Sequence, residues 1–173
     1  MFETAVFLIF PFCMVFAAVS DLISMTITNR VSLTLVGAFF ILAILSGMPL
    51  SEIGMHVLAG SAILLVTFTL FALGAMGGGD AKLMASTALW FGFDLALVNY
   101  LATAAVLGGL LTLAILRFRH STLATLAANN ILLRHCADAK AGIPYGVALG
   151  IGGLITYTQT PLAQWALERI AAS

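Results

Sequence analysis

Residues 53–80 read IGMHVLAGSAILLVTFTLFALGAMGGGD, and the stretch 53–79 holds no Asp, Glu, Lys or Arg. A helix rises 1.5 Å per residue, so about 20 residues cross the roughly 30 Å hydrocarbon core of a bilayer. This stretch is long enough with residues to spare. It closes on three glycines and an acid, Gly77-Gly78-Gly79-Asp80. The apolar run predicts a membrane helix. The glycines predict where it stops, and the acid is the first charged group along it.

The pattern repeats on both sides. Residues 4–20, 31–51, 95–116 and 141–167 are also free of charged side chains, while 83–93 forms a shorter uncharged stretch. The spans expected are 4–21, 31–49, 54–76, 80–93, 95–117 and 143–160. Gly47-Met48-Pro49, Gly77-Gly78-Gly79 and Gly142-Ile143-Pro144 punctuate them. The fold class expected is all-α: a polytopic membrane protein with six transmembrane helices, one domain over 1–173, and little structure outside the bilayer. No internal repeat or low-complexity tract is visible.

Composition agrees. Of 173 residues, 62% are hydrophobic and 8% charged, and mean hydropathy is +1.13. A soluble domain carries about 25% charged residues, and disorder needs low hydrophobicity with high charge. Both classes are excluded. Net charge is zero, with Lys+Arg and Asp+Glu each 7, which leaves no basic face for nucleic acid. Cys13 and Cys136 stand far apart, and His56, His120 and His135 lack ligand spacing. No metal, cofactor or disulfide is predicted. The cysteines read as small apolar residues.

A secretory signal begins with a positive segment. Here the first charged side chain is Glu3, and Arg30 is the first Arg or Lys, so the first span is expected to be permanent. Arg30, Lys82, Arg117, Arg119, Arg134 and Lys140 fall in alternate loops, against Arg169 alone on the other side. By the positive-inside rule, loops 1–2, 3–4 and 5–6 are cytoplasmic and both termini lie outside. Residues 118–141 form the one sizeable loop. Leu123, Leu126, Ile131 and Leu133 are spaced within it, which fits an interfacial amphipathic helix or a solvated basic loop equally.

Acids at membrane depth are costly and are read first as functional. Glu3, Glu52 and Glu168 sit at outer flanks, Asp94 suits a turn or helix cap, and Asp138 lies in the basic loop. Asp21 and Asp80 alone are both helix-terminal and on the predicted cytoplasmic side. Two carboxylates brought together do not both ionise easily. One can act as base on a water while the other, protonated, donates to a carbonyl. Taken singly, each is more readily a cap or interface anchor. The glycines favour Asp80, since irregular backbone at membrane depth is tolerated only where it is buried or lines a wet cavity. Three successive glycines are expected to unwind the backbone and admit a close neighbour.

Gly77-Gly78-Gly79-Asp80, with Ala81-Lys82-Leu83-Met84 following, resembles the GGGD-x-KL signature of type IV prepilin peptidases, a branch of the GxGD membrane aspartic proteases. Ala18-Val19-Ser20-Asp21, then Ile27-Thr28-Asn29-Arg30, is similar to that family's first catalytic region. Pro144-Tyr145-Gly146 with Val147-Ala148 resembles the opening of its last helix. Thr28 departs from the Ile-Pro-Asn often found there. The chain also lacks the insertion with two Cys-x-x-Cys pairs that accompanies N-methylation, and so looks like the short, peptidase-only branch serving tight-adherence (Flp-type) pili. Presenilin-like proteases share Gly-x-Gly-Asp, but their Tyr-Asp and Pro-Ala-Leu motifs are absent.

The resemblance implies a peptidase of the bacterial inner membrane with its active site facing the cytoplasm. Asp21 and Asp80 would be catalytic, with Asn29, Gly77, Gly78, Gly79, Lys82, Pro144, Tyr145 and Gly146 as supporting motif. It implies a prepilin or pseudopilin as substrate, its apolar helix lying in the bilayer, membrane lipid as surroundings, and neither methyltransferase activity nor zinc. Lys82, two residues from Asp80, does not share its helix face and reads as a topology anchor. Gly108, Gly109, Gly150, Gly152 and Gly153 suit close helix packing, within the bundle or against the substrate. A small transporter moving protons or cations and a non-catalytic scaffold are the rival classes.

Overall fold

The computed structural model describes residues 2–121, 135, 138 and 141–172. These form seven α-helices: α1 (Phe2–Ser24), α2 (Asn29–Ser46), α3 (Leu50–Ala72), α4 (Gly78–Phe91), α5 (Leu95–Arg119), α6 (Tyr145–Thr156) and α7 (Pro161–Ala171). A 3-10 turn, Tyr157–Gln159, joins the last two.

The punctuation read from the sequence is where the helices stop. Gly47 takes a left-handed conformation (φ 78°) and its N–H reaches the Ala43 and Ile44 carbonyls, satisfying groups a helix end leaves open. Pro49 precedes α3 in extended conformation. The Asp94 side chain accepts from Leu95 N–H at the start of α5, so its expected part as a cap is what the structure has. Thr160 caps α7 and Pro161 follows at its first position, where proline's missing N–H costs nothing.

Four helices are long and apolar enough to cross a membrane: residues 3–24, 29–46, 50–72 and 95–119. The chain is a membrane protein, but the expectation of six spans is not met by that measure. α4 has 14 residues and α6 has 12, lengths of about 21 and 18 Å. The sixth span, expected to run to residue 160, breaks at Thr156 and turns into α7. α4 is the interior of the bundle, and α6 is buried along one face while Ile151 and Ile155 stay exposed on the other. α4 packs along α3 and α2, and α6 along α1 and α5. Much of the long helices' apolar surface, such as Leu33, Ile41, Leu65 and Leu113, faces outward, as lipid-facing surface does.

An aromatic cluster fixes α4 in the centre. Phe10 of α1 lies 5.1 Å from Trp90 between ring centroids, and Phe91 stacks on Tyr100 of α5 at 5.1 Å. Trp90 Nε1 donates to the Leu35 carbonyl of α2 at 3.0 Å. His56 of α3 is buried, with Nδ1 2.7 Å from the Leu89 carbonyl. A carbonyl only accepts, so Nδ1 carries the proton. His56 is thus a core strut.

The residue ending α4, Gly92, holds φ 68° and ψ −169°, a region open essentially to glycine alone. A Cβ there would stand 2.9 Å from His56 Cε1. Gly92→Ala is expected to lower the thermal midpoint of the detergent-solubilised protein, the backbone alone costing about 1–3 kcal/mol. An unchanged melting curve would contradict this.

Candidate active site

The α1–α2 connection, the start of α4 and the start of α6 meet at one end of the bundle. α1 continues a turn beyond Asp21 before Met25 closes it with φ 53°, its N–H bonded to the Asp21 carbonyl at 2.8 Å. Ser20 Oγ donates to the Thr26 carbonyl at 2.7 Å, and Ser24 Oγ to the Ser20 carbonyl at 2.7 Å. These bonds fold the chain back sharply. Asp21 therefore lies in the last turn rather than at the helix end, and is only 6% exposed.

Asp21 Oδ2 accepts the Gly146 N–H at 2.7 Å. Gly146 is the second residue of α6, where N–H groups have no partner inside their own helix and the helix dipole favours an anion. Only a glycine fits. A Cβ at 146 would stand 2.7 Å from Ile27 Cδ1 and 2.9 Å from both Asp21 Cβ and Asp21 Oδ2.

Asp80 is the third residue of α4. The expected unwinding does not occur at Gly78 and Gly79, which are helical; Gly77 alone is extended, at φ −70° and ψ 141°. What the triplet supplies is clearance. A Cβ at Gly79 would lie 3.2 Å from Ile27 Cβ, one at Gly78 3.1 Å from Phe71 Cε2, and one at Gly77 2.8 Å from Asp80 Oδ2. Ile27 thus touches both Gly79 and Gly146, which brings the two acids to one place. Asp80 is close enough for the Asp21 charge to act on it. Its Oδ1 is buried and meets no hydrogen-bonding group among the described residues.

Other motif residues make contacts between helices. Lys82 Nζ donates to Asn29 Oδ1 at 3.0 Å, tying α4 to the start of α2. Both line a cleft of about 470 Å³ between α2, α3 and α4, whose lining includes neither Asp21 nor Asp80. Pro144 precedes α6, and the Tyr145 ring fills the space over Gly108, where a Cβ would come within 2.5 Å of it. Arg119 donates to the Ala141 and Gly142 carbonyls at 2.9 and 2.8 Å, anchoring the approach to α6.

Gly108, Gly150, Gly152 and Gly153 all pack within the bundle, Gly150 so tightly that a Cβ would lie 2.7 Å from the Met14 carbonyl oxygen. Only Gly109 of that group has nothing within 4 Å. Glu52 and Glu168 are exposed, and Asp138 lies ahead of α6, its carbonyl accepting from Ala141 N–H. No group of three His, Cys, Asp or Glu able to hold a metal occurs among the described residues. Cys13 is buried in α1. Cys136, Arg134, Lys140 and the spaced apolar set Leu123, Leu126, Ile131 and Leu133 lie outside the described residues. Tyr100 went unnoticed in the sequence, and Ile27 was read only as the start of a motif and not as a contact between two helix starts, since single apolar or aromatic residues in an apolar chain carry no local signal.

Residues 8–113 match the type IV leader peptidase family. No curated protein and no solved structure matches the chain. Both aspartates fall inside the matched stretch, and Gly146 falls beyond it.

Gly146→Ala forces a methyl into Ile27 and Asp21 and is expected to cost about 1–3 kcal/mol, as overpacking does. Gly109→Ala, in open space, is expected to be neutral or stabilising by up to about 1 kcal/mol. Thermal unfolding of the two variants side by side in detergent checks the contrast, and equal midpoints would refute it.

Proposed function

The chain belongs to the type IV leader peptidase family, and from that premise we propose that Asp21 and Asp80 form the catalytic pair of an aspartic endopeptidase that removes the short leader of an Flp-type prepilin. The observation carrying this is that two acids 59 positions apart come to one end of the bundle, Asp21 buried and held by a helix N-terminus, Asp80 half-buried with its Oδ1 inside.

In the proposed reaction one carboxylate takes a proton from a water, whose oxygen attacks the scissile carbonyl. The other carboxyl, protonated, donates to the developing oxyanion and then passes its proton to the leaving nitrogen. General acid–base catalysis needs one group in each state. Both acids protonated leaves no base, and both ionised leaves no acid, so the cleavage rate is expected to fall on either side of an optimum pH. The pair titrates as a unit. The Gly146 N–H favours charge on Asp21, which assigns the initial base to Asp21 and the proton to Asp80.

Arg30, Lys82, Arg117 and Arg119 cluster toward the site's end of the helices, which supports a site on the cytoplasmic side of a bacterial inner membrane with both termini opposite. The substrate's apolar helix stays in the bilayer while its leader reaches the carboxylates from the cytoplasm. The enzyme acts as a peptidase alone, without the methylation that longer relatives add.

Co-expression with a prepilin tests the assignment. Asp21→Asn and Asp80→Asn are each expected to reduce cleavage at least about 100-fold, the lower range for general acid–base groups, with normal membrane insertion. Asp94→Asn and Asp138→Asn are expected to cleave normally. Wild-type cleavage by either Asp21→Asn or Asp80→Asn would overturn the mechanism. Cleavage lost by none, with ion flux lost instead, would point to a transporter, and pilus assembly surviving both changes would point to a scaffold. Gly77→Ala, which crowds Asp80 Oδ2, is expected to lower kcat while leaving the thermal midpoint within about 0.5 kcal/mol equivalent of wild type.

A further inference from the structure

At 100° per residue, Asp80, Thr87 and Phe91 fall within an arc of about 40° on α4. Tyr100 of α5 lies along that face. Its ring stacks on Phe91, with planes 9° apart, and its hydroxyl lies beside the Thr87 side chain, one turn closer to Asp80. The phenol therefore points along α4 toward its N-terminal end, where Asp80 lies. Tyr100 is 0% exposed. Its hydroxyl and Asp80 Oδ1 are both buried without a hydrogen-bond partner among the described residues. Thr87 Oγ1 gives its proton to the Leu83 carbonyl at 2.8 Å and approaches Met14 Sδ at 4.0 Å, leaving lone pairs to accept.

A buried polar atom with no partner costs about 1–3 kcal/mol. Two of them on one helix face, with an accepting hydroxyl between, are what an internal water uses for its customary three hydrogen bonds. The donors and acceptors match: the phenol donates, Thr87 accepts, and the carboxyl oxygen accepts or donates according to its proton.

We propose that the inner face of α4 holds a short file of bound water linking Asp80 Oδ1 to Tyr100 by way of Thr87, and that Tyr100 is thereby a positioning residue for Asp80. The proposal rests on the protease reading for its consequence, though not for the water itself. A carboxyl can rotate about its last torsion with little hindrance. Fixing Oδ1 from behind fixes the plane of the group and leaves Oδ2 to the site. Lys82, at 200° around α4 from Asp80, is turned away toward Asn29 and takes no part.

The test has two arms. In an experimental structure that resolves internal water, density is expected within hydrogen-bond distance of Asp80 Oδ1 and continuing to Thr87 Oγ1 or the Tyr100 hydroxyl, and it is expected to vanish in Tyr100→Phe. A direct bond between Tyr100 and Thr87 with no water on Asp80 Oδ1 would overturn the proposal, whatever the protein's activity. In the cleavage assay Tyr100→Phe is expected to lower kcat about tenfold, the worth of one hydrogen bond, with KM and thermal midpoint unchanged. Thr87→Val is expected to do the same. Wild-type kcat in both variants would also refute it, while inactivity of Asp21→Asn and Asp80→Asn in that assay would leave the protease reading standing.

Discussion

One hydrogen bond, from Gly146 N–H to Asp21 across 125 residues of sequence, sets the terms for the rest of the bundle. It is formed only if α6 comes close enough to α1 for backbone to meet side chain. That approach is possible because Gly146, Gly150 and Gly153, at i, i+4 and i+7, present no side chain to α1. In lipid there is no hydrophobic gain from pressing apolar helices together, so close backbone packing and interhelical hydrogen bonds do that work. The chain has both along one stripe, ending at the carboxylate.

The same constraint explains why the short helices are central. A helix of 12 or 14 residues cannot reach both faces of a bilayer, but it can lie inside a ring of longer ones. Its ends are then sheltered from lipid, where open backbone groups are intolerable. The N-termini of α4 and α6 both finish within the protein, near the level of Asp21. Free N–H groups at such ends attract anions, and the chain supplies Asp21 to one of them. Ile27 sits between the two glycines that admit these ends and works as a spacer. A larger residue there would push Gly79 and Gly146 apart, and a smaller one would leave a void beside the carboxylates.

Much of this was legible in the sequence because lipid leaves so few choices. Charge-free runs gave the long helices, Gly47 and Pro49 the first outer turn, and Asp94 a cap. Asp21 and Asp80 stood out because acids are rare in such a chain. The failures share a cause. α7 was missed because Gln164, Glu168 and Arg169 interrupt any apolar run, although Thr160-Pro161 marked its start. The sixth span was drawn to residue 160 because hydropathy cannot tell a buried helix from a lipid-facing one, whereas the short uncharged stretch 83–93 had already marked α4 as short. The glycine triplet was expected to unwind α4, whereas helical glycines are here tolerated for the space they leave. Clearance depends on what stands opposite, and no local pattern records that Ile27 stands opposite Gly79.

α4 also separates two chemistries that the sequence places side by side. Asp80 and Lys82 are two residues apart, close enough in an extended chain to form an ion pair that would hold the acid ionised. On a helix they point in nearly opposite directions. Lys82 is held by Asn29 on the cleft side, while the charge that reaches Asp80 is that of another acid, Asp21. A neutral amide is the partner that makes this work. A carboxylate at position 29 would also hold the ammonium, but it would put a third negative charge beside the site. An apolar residue there would leave Lys82 free to swing toward the acids. The helical start that three glycines permit, and the amide that tethers the lysine, together turn the nearest cation away from the two carboxyls.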